Sequence, residues 1–246
     1  MEIKDLTLTN NLQTLVNSLK KTQRKSTEGT WARFKVLPYE ITRDHNGMLV
    51  KVTSQRFPFL HELLFQNYRL EIESRNMTLE KPDTERLEHV YKFLSDEKEK
   101  TSLLLRGTPG TGKTTIMNAV YQTLKQLYKD EIQQKRMVIR YVKASETGVM
   151  LKDDRDEYLN IRKSAVLFID DMGYSGTAEN INNYGVKTNP IIDIIEHRYD
   201  RQLMTLITTN LTESEILETY GQRVHSRIVE MCKWITFDGY DYRLQN

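Results

Sequence analysis

The chain holds a single cysteine, Cys232, in 246 residues. That rules out an internal disulfide and leaves no CxxC spacing for a zinc knuckle, so nothing points to an oxidising compartment or a structural metal. A long apolar run is also missing: the longest, residues 165–169, is far short of the ~20 residues a membrane-spanning helix needs. The opening MEIKDLTLTNN carries Glu2 and Asp5 and no apolar segment of signal-peptide length, so the expected location is cytoplasmic, with no membrane partner. Nor is one charge in excess. Lys and Arg number 36 against 34 Asp and Glu, so the chain has no overall footprint of a dedicated nucleic-acid binder and any such contact must be a local patch. With only 5 prolines and 11 glycines the chain is neither collagenous nor of low complexity. What remains, at 38% hydrophobic and 28% charged residues, is a globular protein long enough for one large domain or a medium domain with a small partner.

Leu12, Leu15, Val16 and Leu19 recur at i, i+3, i+4 and i+7, which predicts an amphipathic helix running into the basic string Lys20, Lys21, Arg24 and Lys25. That string fits either a solvated face or an arm for a partner or DNA. Residues 34–52 are rich in β-branched and aromatic side chains around Asn46-Gly47, a hairpin-turn dipeptide. Phe57, Phe59, Leu60, Leu63, Leu64, Phe65 and Tyr68 are apolar at mixed spacing and suggest a packing face between two parts of the chain. Lys81-Pro82-Asp83-Thr84 is a helix start, followed by the stripe Leu87, Val90, Tyr91 and Leu94. Short apolar strands at 103–106, 138–142, 165–170, 204–209 and 234–237 then alternate with helical segments. Such alternation predicts an α/β fold, an open parallel sheet flanked by helices with ligand chemistry at the carboxyl ends of its strands. The expected boundary lies near residue 80, with a small α+β or irregular partner-binding region at 1–80 and the α/β domain at 81–246.

Four stations carry the chemistry. Gly107-Thr108-Pro109-Gly110-Thr111-Gly112-Lys113-Thr114 matches G-x-x-x-x-G-K-[ST] between a strand and a helix that opens with Thr115. With Gly at ~7% of residues, a chance match in a chain this long is roughly a one-in-a-hundred event. Glycines let backbone N–H groups converge on a phosphate at a helix amino terminus, Lys113 bridges β- and γ-phosphates, and Thr114 ligates Mg²⁺. The second station lies 57 residues after Lys113, where an apolar strand ends in Asp170-Asp171. Adjacent carboxylates repel unless a cation sits beside them, so Asp170 is expected to contact Mg²⁺ directly or through its second shell, and Asp171 to polarise the attacking water. Third, a strand ends in Thr208-Thr209-Asn210, which places an amide to report on the γ-phosphate; Thr212 and Glu215 form a capping box for the next helix. Fourth, Arg223 and Arg227 stand four apart on one helical face. Either they pair with acids of their own chain, or Arg227 reaches a neighbouring subunit's site as an arginine finger.

On these residues the sequence resembles the AAA+ ATPases, in the branch of the DnaC-type helicase loaders and IstB-type transposition helpers. The resemblance covers roughly residues 85–240 and rests on G-x-P-G-T-G-K-T at 107–114, L-F-I-D-D-M-G at 167–173, T-T-N at 208–210 and G-x-R-V-x-S-R-I at 221–228. It implies a P-loop NTPase core that binds ATP and Mg²⁺ through 107–115, with Lys113 and Thr114 as the Walker A pair. It makes Asp170 and Asp171 the Walker B pair, Asn210 sensor 1 and Arg227 the arginine finger of a self-associating ATPase. Only 19 residues follow Arg227, so the helical lid of most relatives is expected to be largely absent. The resemblance implies that ATP controls binding to a replicative helicase and to single-stranded DNA. Other outputs fit the same stations: an IstB-like helper of a transposase, a low-turnover ATP-dependent binding protein, or a P-loop kinase whose acceptor lid would have to use Arg198 and Arg201. The Asn- and Gly-rich segment 174–188 is expected to be a loop.

Overall fold

The computed structural model describes residues 40–43, 49–52, 59–75, 81–95, 99–173, 181–183, 186–239 and 241–242. The helix expected at 12–19, its basic string and the Asn46-Gly47 turn lie outside the described residues. Among its described residues the first compact unit holds an antiparallel pair, β1 (Glu40–Arg43) and β2 (Leu49–Val52), with Glu40 opposite Val52 and Arg43 opposite Leu49.

The second unit, which takes in Phe59–Asn246, is built on a sheet of five parallel strands. These are β3 (Ser102–Gly107), β4 (Ile139–Lys143), β5 (Val166–Met172), β8 (Met204–Thr209) and β9 (Cys232–Phe237), in the order β4-β5-β8-β3-β9. Every residue of β8 is buried, as are Ser102 to Leu105 of β3. Parallel strands covered on both faces need apolar residues at successive positions, and this is why these segments read as continuous runs in the sequence. Arg106 pairs with Thr209 and Gly107 with Phe237, so the carboxyl ends of β3, β8 and β9 lie side by side, with β5 next to β8.

Helix α1 (Leu60–Glu73) buries Leu60, Leu63, Leu64, Asn67, Tyr68 and Ile72, a regular helical face. The spacing expected to be mixed is therefore helical, because Phe59 and Phe65 interrupt the pattern from positions that are only half-buried. This face meets α3 (Lys113–Leu127), where Asn67 Nδ2 donates to Thr123 Oγ1 at 3.0 Å and Asn118 Nδ2 donates to Glu71 Oε2 at 3.3 Å. Residues 60–73 are thus fastened to the helix after the glycine loop, although they precede the boundary expected near residue 80. Leu64 is fully buried there. Leu64→Ala is expected to lower stability by about 2–5 kcal/mol, read as a shift in the urea midpoint at unchanged slope.

Helix α2 (Lys81–Ser95) buries Leu87, Val90 and Leu94 as expected, with Phe93 added and Tyr91 left half-buried. After α4 (Lys129–Gln133), α5 (Thr147–Asp153) and α6 (Arg155–Lys163), the chain passes from β5 to a short antiparallel pair, β6 (Ile181–Asn183) and β7 (Val186–Thr188). The segment expected to be all loop therefore carries a small ladder, because Ile181 and Val186 to Thr188 are strand formers. In α7 (Pro190–Asp200) Asn189 caps the first turn and Pro190 starts it; in α8 (Glu213–Met231) the Thr212–Glu215 capping box is formed. Gly221, at φ 83 and ψ 164, breaks α8 into two helical pieces. No helix among the described residues is long and apolar enough to cross a membrane.

Arg198 on α7 is completely buried. Its Nε donates to Thr205 Oγ1 at 2.8 Å, Nη1 to the carbonyls of Ser164 at 2.8 Å and Arg162 at 3.1 Å, and Nη2 to that of Met204 at 2.6 Å. Burial pulls its pKa down to about 9, which leaves it charged at neutral pH and bound to these acceptors.

Candidate nucleotide-binding site

The glycine loop follows β3 without a gap. Gly107 has φ 147, and a Cβ there would lie 2.1 Å from the Phe237 carbonyl oxygen, so the strand pairing itself requires glycine. Gly110 and Gly112 have φ 76 and 90, left-handed values that favour glycine. Gly112 stands at the N-cap of α3 and no side chain caps that end. The first-turn N–H groups of a 15-residue helix thus face out without an intrahelical acceptor, at the positive end of its macrodipole. Lys113 is buried, and its ammonium donates to the carbonyls of Gly107 at 2.8 Å and Thr108 at 2.7 Å. Thr111 Oγ1 donates to the Thr108 carbonyl at 2.8 Å, Thr115 is buried behind the loop, and Thr108 and Pro109 are exposed at its tip.

The tandem acids separate into two environments. Asp170 is only 3% exposed and its Oδ1 accepts from Thr114 Oγ1 at 3.0 Å and from Thr208 Oγ1 at 2.6 Å. This joins the first turn of α3, the end of β5 and the end of β8 at one carboxylate. Asp171 follows at φ 55, within a register shift of the β5–β8 pairing between Ile169 and Met172. A left-handed aspartate costs of order 1–3 kcal/mol. The Thr208 hydroxyl offsets it by accepting the Asp171 N–H at 2.8 Å, and Thr209 Oγ1 donates to the Met172 carbonyl at 2.6 Å. The bulge turns Asp171 to a half-buried position while Asp170 stays inside the sheet end. One residue past β8, Asn210 Oδ1 is buried without a hydrogen-bond partner. An oriented carboxylate between hydroxyls, a lysine at an uncapped helix start and an unpaired acceptor beside them fit a magnesium-bound triphosphate and a water.

The profile of the ATPase family associated with various cellular activities (AAA) matches residues 103–229, just over half of the chain and the whole span of these stations. The chain belongs to the AAA family. Among solved structures, this AAA chain is similar to the DnaC helicase loader at 24% identity, covering 65% of this chain and 92% of that one, with a TM-score of 0.48. It is similar to DnaI at 22% identity, 60% and 77% coverage and a TM-score of 0.43. It is also similar to AMPPCP-bound DnaA from Aquifex aeolicus at 16% identity, 70% and 51% coverage and a TM-score of 0.46. No curated protein matches it significantly.

Within the AAA domain the structure brings together the glycine loop, Lys113, Thr114 and Asp170, with Asp171 and Asn210 at the neighbouring strand ends. Arg227 is placed elsewhere. Its Nη2 lies 3.2 Å from Asp200 Oδ1, its Nη1 3.5 Å from Glu196 Oε1, and its guanidinium 4.9 Å from the Tyr199 ring centroid, all on α7. Arg223 pairs with the same Glu196 at 2.9 Å. These are pairings with acids of the chain's own, the first of the two roles open to the arginines.

Two members of the site carry roles that the sequence does not assign. Thr208, the first residue of the T-T-N motif, bonds both tandem acids. Tyr141 on β4 pairs in register with Phe168 and stacks on it at 6.0 Å, two residues before Asp170. Burial first, then the nearby Asp170 carboxylate, push the Tyr141 hydroxyl up, so it remains a protonated donor toward that acid.

Proposed function

We propose that this chain is an ATP-driven accessory of DNA replication in the cytoplasm, a helicase loader or primosome component. ATP binding and hydrolysis gate its grip on a replicative helicase and on single-stranded DNA. The observation that carries the nucleotide part is the junction of the uncapped α3 terminus with the Thr114–Asp170–Thr208 knot. In this reading the amides of 107–115 cradle the phosphates and Lys113 leaves its loop carbonyls for the β- and γ-phosphates. Thr114 and Asp170 would hold Mg²⁺, which supplies positive charge against the triphosphate. Asp171, turned out by the bulge, takes a proton from the attacking water. Asn210 Oδ1, lacking a partner, accepts that water's other hydrogen.

The output as a rearranged partner is supported by the motif order from 107 to 228, which contains no further catalytic group. A small-molecule kinase loses support because Arg198 is consumed by buried carbonyls, leaving Arg201 alone to form an acceptor lid. The amino-terminal 80 residues, apart from the helix 60–73 fastened to α3, are proposed to bind the partner. A pull-down with and without ATP tests the whole proposal. A replicative helicase retained in one nucleotide state supports it, a transposase retained instead gives the IstB-like role, and neither partner in either state overturns both.

Asp171→Asn keeps the shape and the N–H bond to Thr208 but removes the base. It is expected to leave ATP affinity within about twofold and to slow turnover by about 10²–10⁴-fold, measured by phosphate release at saturating ATP.

A further inference from the structure

Beyond β9, Asp241 and Tyr242 lie against the glycine loop. The Tyr242 N–H donates to the Gly110 carbonyl at 3.1 Å, and a Cβ on Gly110 would lie 1.6 Å from Asp241 Oδ1, so the Asp241 side chain occupies the space that a glycine leaves open. Arg86 on α2 braces the same edge. Its Nη1 donates to the Thr111 carbonyl and to Asp83 Oδ1, each at 3.4 Å, and its Nη2 donates to the Asp238 carbonyl at 2.6 Å. The guanidinium lies 4.8 Å from the Phe237 ring centroid. Asp83, 2% exposed, accepts from Tyr242 Oη at 3.1 Å and from the Tyr68 hydroxyl of α1.

These contacts share a direction. In a trans peptide the C=O and the N–H point opposite ways, and no cis peptide occurs among the described residues. The carbonyls of Gly110 and Thr111 belong to the same peptide groups as the N–H of Thr111 and of Gly112. Holding both carbonyls outward therefore aims two consecutive N–H groups to the other side of the loop, and a bonded carbonyl also polarises its own N–H.

We infer that Asp238, Asp241, Tyr242 and Arg86 form an internal clamp that pre-orients the Thr111 and Gly112 amides for an anionic phosphate, making Arg86 and Tyr242 positioning residues for nucleotide affinity. The inference rests on the reading of the loop as a triphosphate cradle. Aiming amides in advance removes an ordering cost from binding and leaves the water-activating acids untouched, so the clamp acts on KM and not on kcat.

The test compares the full chain, a chain ending at Phe237 and full-length Arg86→Gln, using fluorescent ATP with Mg²⁺ for affinity and phosphate release for KM and kcat. Both altered chains are expected to bind about tenfold more weakly, with KM raised to match and kcat within twofold. Full-length Tyr242→Phe keeps the N–H and is expected to retain more affinity than Tyr242→Pro, which removes it. If the shortened chain fails to fold, Arg86→Gln and the Tyr242 pair decide. Unchanged affinity in all of them, tighter binding, or a fall in kcat at constant KM overturns the clamp. The unaltered full chain separates the two levels: if it binds no MgATP, it is the cradle reading that fails.

Discussion

Lys113→Ala is expected to abolish ATP binding, weakening it by on the order of 10³-fold, while the fold persists. The lysine does two jobs with one ammonium. Here it donates to the carbonyls of Gly107 and Thr108, closing the loop on itself while buried to 5% exposure. With a triphosphate bound it would exchange those neutral acceptors for charged ones. Hydrogen bonds to charged groups contribute about 1.5–3 kcal/mol each, so losing two gives roughly 10²- to 10⁴-fold in affinity. The loss to the folded chain is smaller, because the loop keeps the Thr111–Thr108 bond and the Tyr242–Gly110 bond. Lys113→Arg is not expected to rescue, since a planar fork does not fit where a single ammonium meets two carbonyls 2.7 and 2.8 Å away. Equilibrium binding of fluorescent ATP, with circular dichroism melting as the control for folding, checks the result. Wild-type affinity in the variant would remove the loop from the nucleotide site.

The parts of this architecture that could be read from the sequence are those fixed by short-range rules. A parallel strand covered on both faces has to be apolar throughout, so β3, β5 and β8 announce themselves, and β8 matches to the residue. The glycine loop is legible because left-handed turns and a close backbone at Phe237 demand glycine at fixed offsets. Helix α1 hid for a different reason: Phe59 and Phe65 flank its buried face with apolar residues, and only Asn67, a buried polar residue reaching Thr123, reveals which face points inward. Partnerships between distant segments left no local trace. Nothing near Arg86 in the chain signals that it will meet Asp238, 152 residues away, and nothing around Asp171 signals a left-handed residue, because the cause is a hydroxyl on another strand. The arginines of α8 show the same limit. Their spacing put them on one face, but the identity of the acids opposite came only with the packing of α7 on α8.

Arg227→Ala is expected to retain nucleotide and to lose turnover by about 10³-fold or more, even at high protein concentration. The arginine sits on the second piece of α8, after the break at Gly221, where a left-handed residue lets this piece take its own direction. Its side chain is only 13% exposed, and its contacts with Glu196, Asp200 and Tyr199 hold it against α7 instead of the chain's own phosphate loop. Nη1 lies within charge reach of Glu196 yet makes no hydrogen bond, so part of its donor capacity is unspent. Asp200 is 59% exposed, and exposed ion pairs contribute only ~0–1 kcal/mol, a barrier that docking a second subunit can overcome. We propose that an arginine so held serves a neighbour's γ-phosphate, in which case the rate depends on assembly. The decisive measurement mixes Arg227→Ala with Lys113→Ala subunits. Each variant lacks a different half of a shared site, so a trans-acting finger restores turnover at the interfaces where an intact Lys113 loop faces an intact Arg227. Normal hydrolysis by Arg227→Ala alone, or no recovery in the mixture, would confine the residue to its pairing with α7.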